Sequence, residues 1–77
     1  MDRDTIRQLI EGQLPGCEAL VEGDDGVHFS ARVVASQFAG KSTLERHRMI
    51  YGALGERMGT DIHALSIKAM TPEEVNG

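Results

Sequence analysis

Apolar residues recur along the chain with two different spacings, which predict helices and strands. Near the N-terminus, four apolar residues follow helical spacing: Ile6, Leu9, Ile10 and Leu14. Asp2 or Asp4 can cap the free N–H groups of this first helix, and Pro15-Gly16 ends it.

A β-hairpin is predicted next. The runs CEALVEG (17–23) and GVHFSARVVAS (26–36) are rich in β-branched residues, and the EGDDG segment (22–26) between them suits a tight turn. In the second run the apolar residues alternate with His28, Ser30 and Arg32, so one face of this strand is expected to be buried and the other exposed.

The second helix begins at a capping box, in which Ser42 and Glu45 satisfy each other's backbone N–H groups. Its predicted apolar stripe contains Leu44, His47, Tyr51, Leu54 and Met58, and is widened by Met49 and Ile50. Gly59 is expected to end the helix in a left-handed conformation.

The segment DIHALSIKAM (61–70) predicts a third strand, with His63, Leu65, Ile67 and Ala69 on one face and Ile62, Ala64, Ser66 and Lys68 on the other. A short helix then begins at the TPEEV segment (71–75), with Thr71 as its cap and Pro72 in its first turn. The order α-β-β-α-β-α defines an α+β protein, and residues 1–77 are expected to form a single domain.

Composition narrows the functional classes. The 77 residues are 40% hydrophobic and carry a net charge of −4, so contact with nucleic acid requires a local basic patch. One cysteine cannot form an internal disulfide, and no apolar stretch approaches the length of a membrane span. These features predict a cytoplasmic protein without a membrane segment.

The segment FAGKSTLERHR (38–48) can be interpreted in three ways. As a phosphate-binding loop it lacks the first glycine, because Ala35 occupies that position, and a capped helix explains Gly40 and Ser42 without a nucleotide. As a nucleic-acid contact it offers Gly40, Lys41, Arg46 and Arg48, although a solvated helix face explains these charges at least as well.

The third interpretation is a family resemblance. FAGKSTLERHR and the later IHALSIKAMTPEE segment resemble the signature of the BolA family, closest to its IbaG-like branch, over nearly the whole chain. The resemblance implies a class II KH-like fold, with a three-stranded sheet and helices packed on one face. It also implies partnership with a monothiol (CGFS) glutaredoxin through a shared [2Fe-2S] cluster in iron–sulfur metabolism, and DNA binding or transcription regulation in some members.

Under this resemblance His63 matches the family's C-terminal histidine ligand, although a half-buried strand histidine is the alternative. The second ligand comes from the loop between the first two strands, where this chain offers Asp24 or Asp25, with His28 a few residues further on. A carboxylate is a harder ligand than clusters usually take, so His28 is the alternative to Asp25. Cys17 is expected to be a packed apolar residue.

No base, nucleophile and orienting group converge at a recognisable spacing, so the sequence predicts a non-enzymatic protein. A glutaredoxin would bring the cluster, and none is expected in the isolated chain, which would be a monomer or weak homodimer. The alternative function is a KH-like nucleic-acid-binding regulator using residues 40–48. Its mark would be affinity that falls steeply with salt.

Overall fold

Three helices and three strands form the computed structural model, which describes residues 1–23, 25–62 and 64–77. The helices are α1 (Arg3–Gln13), α2 (Thr43–Leu54) and α3 (Pro72–Asn76), and the strands are β1 (Glu18–Glu22), β2 (His28–Val34) and β3 (Ala64–Met70). Two short 3₁₀ turns, Ser36–Phe38 and Gly55–Arg57, flank α2. The predicted α+β class and the order of elements are confirmed.

These strands form one mixed sheet in the order β1-β2-β3. β1 runs antiparallel to β2, as the predicted hairpin requires. β2 and β3 are parallel, with His28 beside Ala64 and Val34 beside Met70. Because parallel neighbours need a long crossover, α2 and its flanking turns supply the connection between these two strands.

The hydrophobic core lies on one face of the sheet, against α1 and α2. Alternation along β2 buries Phe29, Ala31 and Val33 and exposes Ser30 and Arg32, as predicted. The largest fully buried side chains come from both helices, the central strand and the turns: Ile6, Ile10, Val33, Phe38, Ile50, Leu54 and Ile62.

The helices α1, α2 and α3 each begin at a side-chain cap, because the first N–H groups of a helix have no partner within it. Asp2 accepts from the backbone N–H of Thr5 at 2.8 Å. Reciprocal capping boxes open α2, between Ser42 and Glu45, and α3, between Thr71 and Glu74. Each helix therefore starts at a cap residue that the sequence identified.

The predicted apolar stripe of α2 is partly wrong. Ile50 and Leu54 are fully buried, whereas the side chains of Leu44 and Tyr51 are 60% and 39% exposed. The core therefore buries only part of the predicted stripe, because the packing of α2 against the rest of the fold covers Ile50 and Leu54 and leaves Leu44 and Tyr51 at the surface. Spacing alone could not show which part is buried, since apolar residues occur on more than one side of this helix.

The predicted end of α2 and the predicted start of the third strand are also wrong. Gly55 adopts a φ of +57° and ends the helix at Leu54, whereas Gly59, four residues after Gly55, lies in a later turn. Ile62 precedes β3 and is fully buried, instead of sharing the exposed face of Ser66. Glycine at position 55 allows the earlier stop, because it carries no Cβ to oppose a positive φ.

Candidate functional site

The loop between β1 and β2 is organised by one carboxylate. Asp25 Oδ1 accepts the backbone N–H groups of Val27 at 3.0 Å and of His28 at 2.8 Å. Its other oxygen, Oδ2, lies 2.6 Å from Nδ1 of the His28 imidazole. The structure therefore brings together two of the predicted ligand candidates, Asp25 and His28, as a carboxylate–imidazole pair.

Hydrogen bonding stabilises the charged form of Asp25. The backbone N–H of His28, then that of Val27, then the His28 side chain hold the pKa of the Asp25 carboxyl well below its usual range. Both side chains of the pair are more than half exposed, so solvent reaches them. The Asp25 carboxylate is therefore ionised, hydrogen-bonded and exposed to solvent.

This pair lies where β2 and β3 begin side by side. His28 is the first residue of β2 and is paired with Ala64, the first residue of β3. The backbone N–H of Ala64 also donates to the carbonyl of Val27 at 3.3 Å. His63, the predicted cluster ligand, and Asp24, its alternative loop partner, lie outside the described residues.

The basic segment around the start of α2 is divided between two roles. Gly40 adopts a φ of +77° in the turn before the helix, and Lys41 and Arg48 are exposed. Arg46 differs, because its guanidinium donates to the carbonyls of Lys41 at 3.0 Å and Ala69 at 3.1 Å. The same guanidinium forms a bidentate ion pair with the Glu74 carboxylate.

The Arg46–Glu74 ion pair is a structural feature that sequence reasoning missed. Its two Nη···Oε distances are 2.6 and 3.0 Å, and the Arg46 side chain is only 13% exposed. It joins the start of α2 to α3 across 28 positions of sequence, so no local pattern could reveal it. Arg46 thus has a structural function, whereas Lys41 and Arg48 are the exposed cations of this segment.

The lowered pKa of Glu74 makes the Arg46–Glu74 ion pair sensitive to acid. Arg46, and then the backbone N–H of Thr71, lower the pKa of Glu74 from 4.5 to about 2. A carboxylate with a lowered folded pKa stabilises the fold above its unfolded pKa, and this contribution disappears as the pH falls towards the folded value. The stabilising effect of Glu74 is therefore complete above about pH 5 and lost near pH 2.

Replacing Glu74 with Gln is expected to lower the free energy of unfolding at pH 7, with a difference from wild type that shrinks between about pH 5 and pH 2. Urea denaturation at a series of pH values measures this difference. Glu73→Gln is the control, because it removes the same charge from α3 and, in the described part of the chain, Glu73 forms no ion pair with Arg46. A Glu74→Gln difference that does not change with pH would contradict this account.

Three further observations concern the Cys17 thiol, possible metal binding and possible membrane spans in the described part of the chain. Cys17 is half-buried against the core, and burial raises the pKa of its thiol, as expected of a packed residue. Within residues 1–23, 25–62 and 64–77, no three His, Cys, Asp or Glu side chains are grouped to hold a metal ion. Nor does any helix in those ranges combine the length and apolarity of a membrane span.

The chain belongs to the BolA-like protein family, whose model matches residues 13–74. The structure is similar to that of a BolA protein homologue from Coxiella burnetii, with a TM-score of 0.87 and 44% identity over 100% of this chain and 99% of the other. Family and fold therefore agree with the resemblance in the two sequence segments.

Two curated relatives are matched over less than half of their own length. SufE-like protein 1 of Arabidopsis thaliana, a chloroplastic/mitochondrial protein, is 52% identical over 87 residues, covering 91% of this chain. The DNA-binding transcriptional regulator BolA of Escherichia coli (strain K12) is 42% identical over 50 residues, covering 65% of this chain. The chain spans 24% and 48% of the length of these relatives, respectively.

Proposed function

We propose that this BolA-family chain partners a monothiol (CGFS) glutaredoxin through a shared [2Fe-2S] cluster and has no catalytic activity of its own. The main observation in support is the Asp25–His28 pair, which places an imidazole beside the first residue of β3. The family assignment supports the proposal, as does the relative in which a similar region is part of a SufE-like protein.

The donor chemistry fits such a cluster. A neutral imidazole nitrogen replaces thiolate on one iron of a Rieske-type centre, so histidine is an established cluster ligand. In this proposal His63 supplies one ligand, and the loop before β2 supplies the second through His28 or Asp25. The glutaredoxin cysteine and glutathione supply the remaining ligands. The cluster's chemistry would be electron or iron–sulfur transfer, and this chain's residues would hold and orient it.

The test is reconstitution of the mixed complex. The protein and a monothiol glutaredoxin are combined anaerobically with iron and sulfide, and visible absorption and circular dichroism are recorded. We expect His63→Ala to lose the signature of the mixed cluster, because an iron site that loses its imidazole must find another ligand. His47→Ala is the control, since His47 lies on α2 with its ring edge-on to Tyr51. An unchanged signature with His63→Ala would refute the proposed ligand.

The second candidate function is nucleic-acid binding through residues 40–48. It is favoured by the name of the Escherichia coli relative, and Gly40, Lys41 and Arg48 lie at an exposed turn and helix start. Against it, the Arg46 guanidinium is engaged by Glu74, and the whole chain carries a net charge of −4. Two exposed cations supply little of the counterion release on which such affinity depends. The glutaredoxin partnership is therefore our first proposal.

A further inference from the structure

The face of the sheet turned away from α1 and α2, here called the open face, exposes Leu20, Ser30, Arg32, Ser66 and Lys68. In the parallel register of β2 and β3, Arg32 lies directly opposite Lys68. Neighbouring strands are only about 4.8 Å apart, so these two positive charges repel each other and destabilise the free protein. Among the described residues neither side chain forms an ion pair or a hydrogen bond that would offset this repulsion.

A shallow depression lies beside the two cations. Its volume is about 220 Å³, and its lining includes Arg32 and Lys68 together with Ser30 and Ser66. The two serines pair with each other across β2 and β3, two positions before the cations. Because serine side chains are short, the open face can accept a side chain of another molecule at this point.

Leu20 supplies the apolar part of the open face. Its side chain is 58% exposed, lies opposite Arg32 on the neighbouring strand and borders the same depression. A single exposed leucine is ordinary on a protein surface, but this one adjoins both the depression and the cations. An apolar centre surrounded by polar and charged groups is the usual composition of a protein interface.

We propose that the open face docks an acidic segment of a partner protein. Two carboxylates of that segment pair with Arg32 and Lys68 and remove their mutual repulsion, while an apolar side chain enters the depression beside Leu20. Charge complementarity is the main argument, because the fold places two cations together in a chain whose net charge is −4. The inference goes beyond the proposed function, since it requires no cluster and none of the candidate ligands.

A protein segment fits the open face better than a nucleic acid does. Glu18 and Glu22 lie on the same face of β1, on either side of Leu20, and would repel a phosphate backbone. Single-stranded nucleic acids are usually bound by stacking their bases on aromatic side chains. The three strands contain one Phe and neither Tyr nor Trp, and this residue, Phe29, is buried on the opposite face.

The test uses the isolated, iron-free protein and a synthetic peptide, Glu-Glu-Leu-Glu-Glu, blocked at both ends. This peptide presents carboxylates on both sides of one leucine. Nitrogen-15 amide spectra recorded during a titration locate the bound peptide and give its dissociation constant. We expect the largest shift changes at Leu20, Ser30 and Lys68, and weaker binding as the salt concentration rises.

Arg32→Gln combined with Lys68→Gln is expected to weaken peptide binding about 10-fold, the combined effect of losing two exposed ion pairs. The matched control combines Lys41→Gln with Arg48→Gln, which removes the same charge from two exposed cations at the start of α2. Binding by this control should stay within about 2-fold of wild type, because only long-range attraction changes. Leu20→Ser is expected to weaken binding about 5-fold, since less apolar surface is buried.

Unfolding of the free variants gives a second readout. The variant that lacks both Arg32 and Lys68 should unfold at a higher urea concentration than wild type, because the repulsion across β2 and β3 is gone. The control that lacks Lys41 and Arg48 should show no such rise. A lower midpoint for the first variant would mean that the two cations stabilise the sheet, and it would overturn the argument from repulsion.

The binding outcomes also decide the class of partner. Absence of peptide-dependent shifts on the open face, or equal weakening by the two double variants, would overturn the docking surface. A single-stranded oligothymidylate that binds the open face more tightly than the peptide would overturn the choice of a protein partner. Because no iron is present, none of these results depends on whether the chain shares a cluster with a glutaredoxin.

Discussion

Phe38→Ala is expected to lower the free energy of unfolding by about 3–5 kcal/mol, the usual cost of removing a buried phenyl ring. Phe38 is fully buried in the 3₁₀ turn between β2 and α2, and the Arg46 guanidinium lies 5.8 Å from the centre of its ring. The substitution would therefore leave a cavity and remove the surface on which Arg46 rests. Urea and thermal denaturation, followed by far-ultraviolet circular dichroism, measure the loss.

A loss of this size would be a large fraction of the total stability, because domains are stable by only roughly 5–15 kcal/mol and small cores lie near the lower end. Leu44→Ala is the matched control, since the Leu44 side chain is 60% exposed and its truncation should change stability by less than about 0.5 kcal/mol. Equal losses of unfolding free energy in the two variants would contradict the burial of the Phe38 ring in the core.

This contrast shows what hydrophobic spacing can and cannot predict. The alternation along β2 identified its buried face correctly, because a strand places successive side chains on opposite faces. In α2, however, Leu44 belonged to the predicted stripe and is exposed. Apolar residues on several sides of a helix leave its rotation open, and only the packing of the whole fold selects one.

The cap of α2, unlike the buried face of that helix, was predictable from the sequence. The Ser42 and Glu45 box joins atoms within one turn, so its geometry depends on residues that are close in sequence. The Arg46–Glu74 ion pair joins residues 28 positions apart and depends on how α3 meets α2. It also changes the functional interpretation, because an arginine that the sequence offered for nucleic acid is engaged within the fold.

The candidate metal site was predictable in part. Sequence and family resemblance identified Asp25 and His28 as alternative ligands, and the structure places the two side chains in contact. Their contact was not predictable, because it depends on how the loop folds Asp25 back onto the start of β2. His63 lies outside the described residues, so its assignment stays a prediction that reconstitution tests.

Gly23→Ala is expected to destabilise the hairpin end that carries this pair, by about 1–3 kcal/mol. A Cβ at position 23 would lie 2.5 Å from Cδ1 of Phe29 and 2.6 Å from the backbone carbonyl oxygen of His28. The Phe29 ring is buried, and the carbonyl belongs to a paired strand, so neither atom can move aside cheaply. Denaturant unfolding of wild type and variant measures the cost.

Gly52→Ala supplies a control with the opposite sign. Gly52 lies within α2 and a Cβ there would meet nothing within 4 Å, so alanine should stabilise the protein by about 0.5–1 kcal/mol. The two variants also differ at the candidate site. Gly23→Ala must displace the His28 backbone and should weaken the Asp25–His28 contact, which the imidazole nitrogen shifts report. If Gly23→Ala matched wild type in both stability and imidazole shifts, the loop would not hold His28 as tightly as the ligand assignment requires.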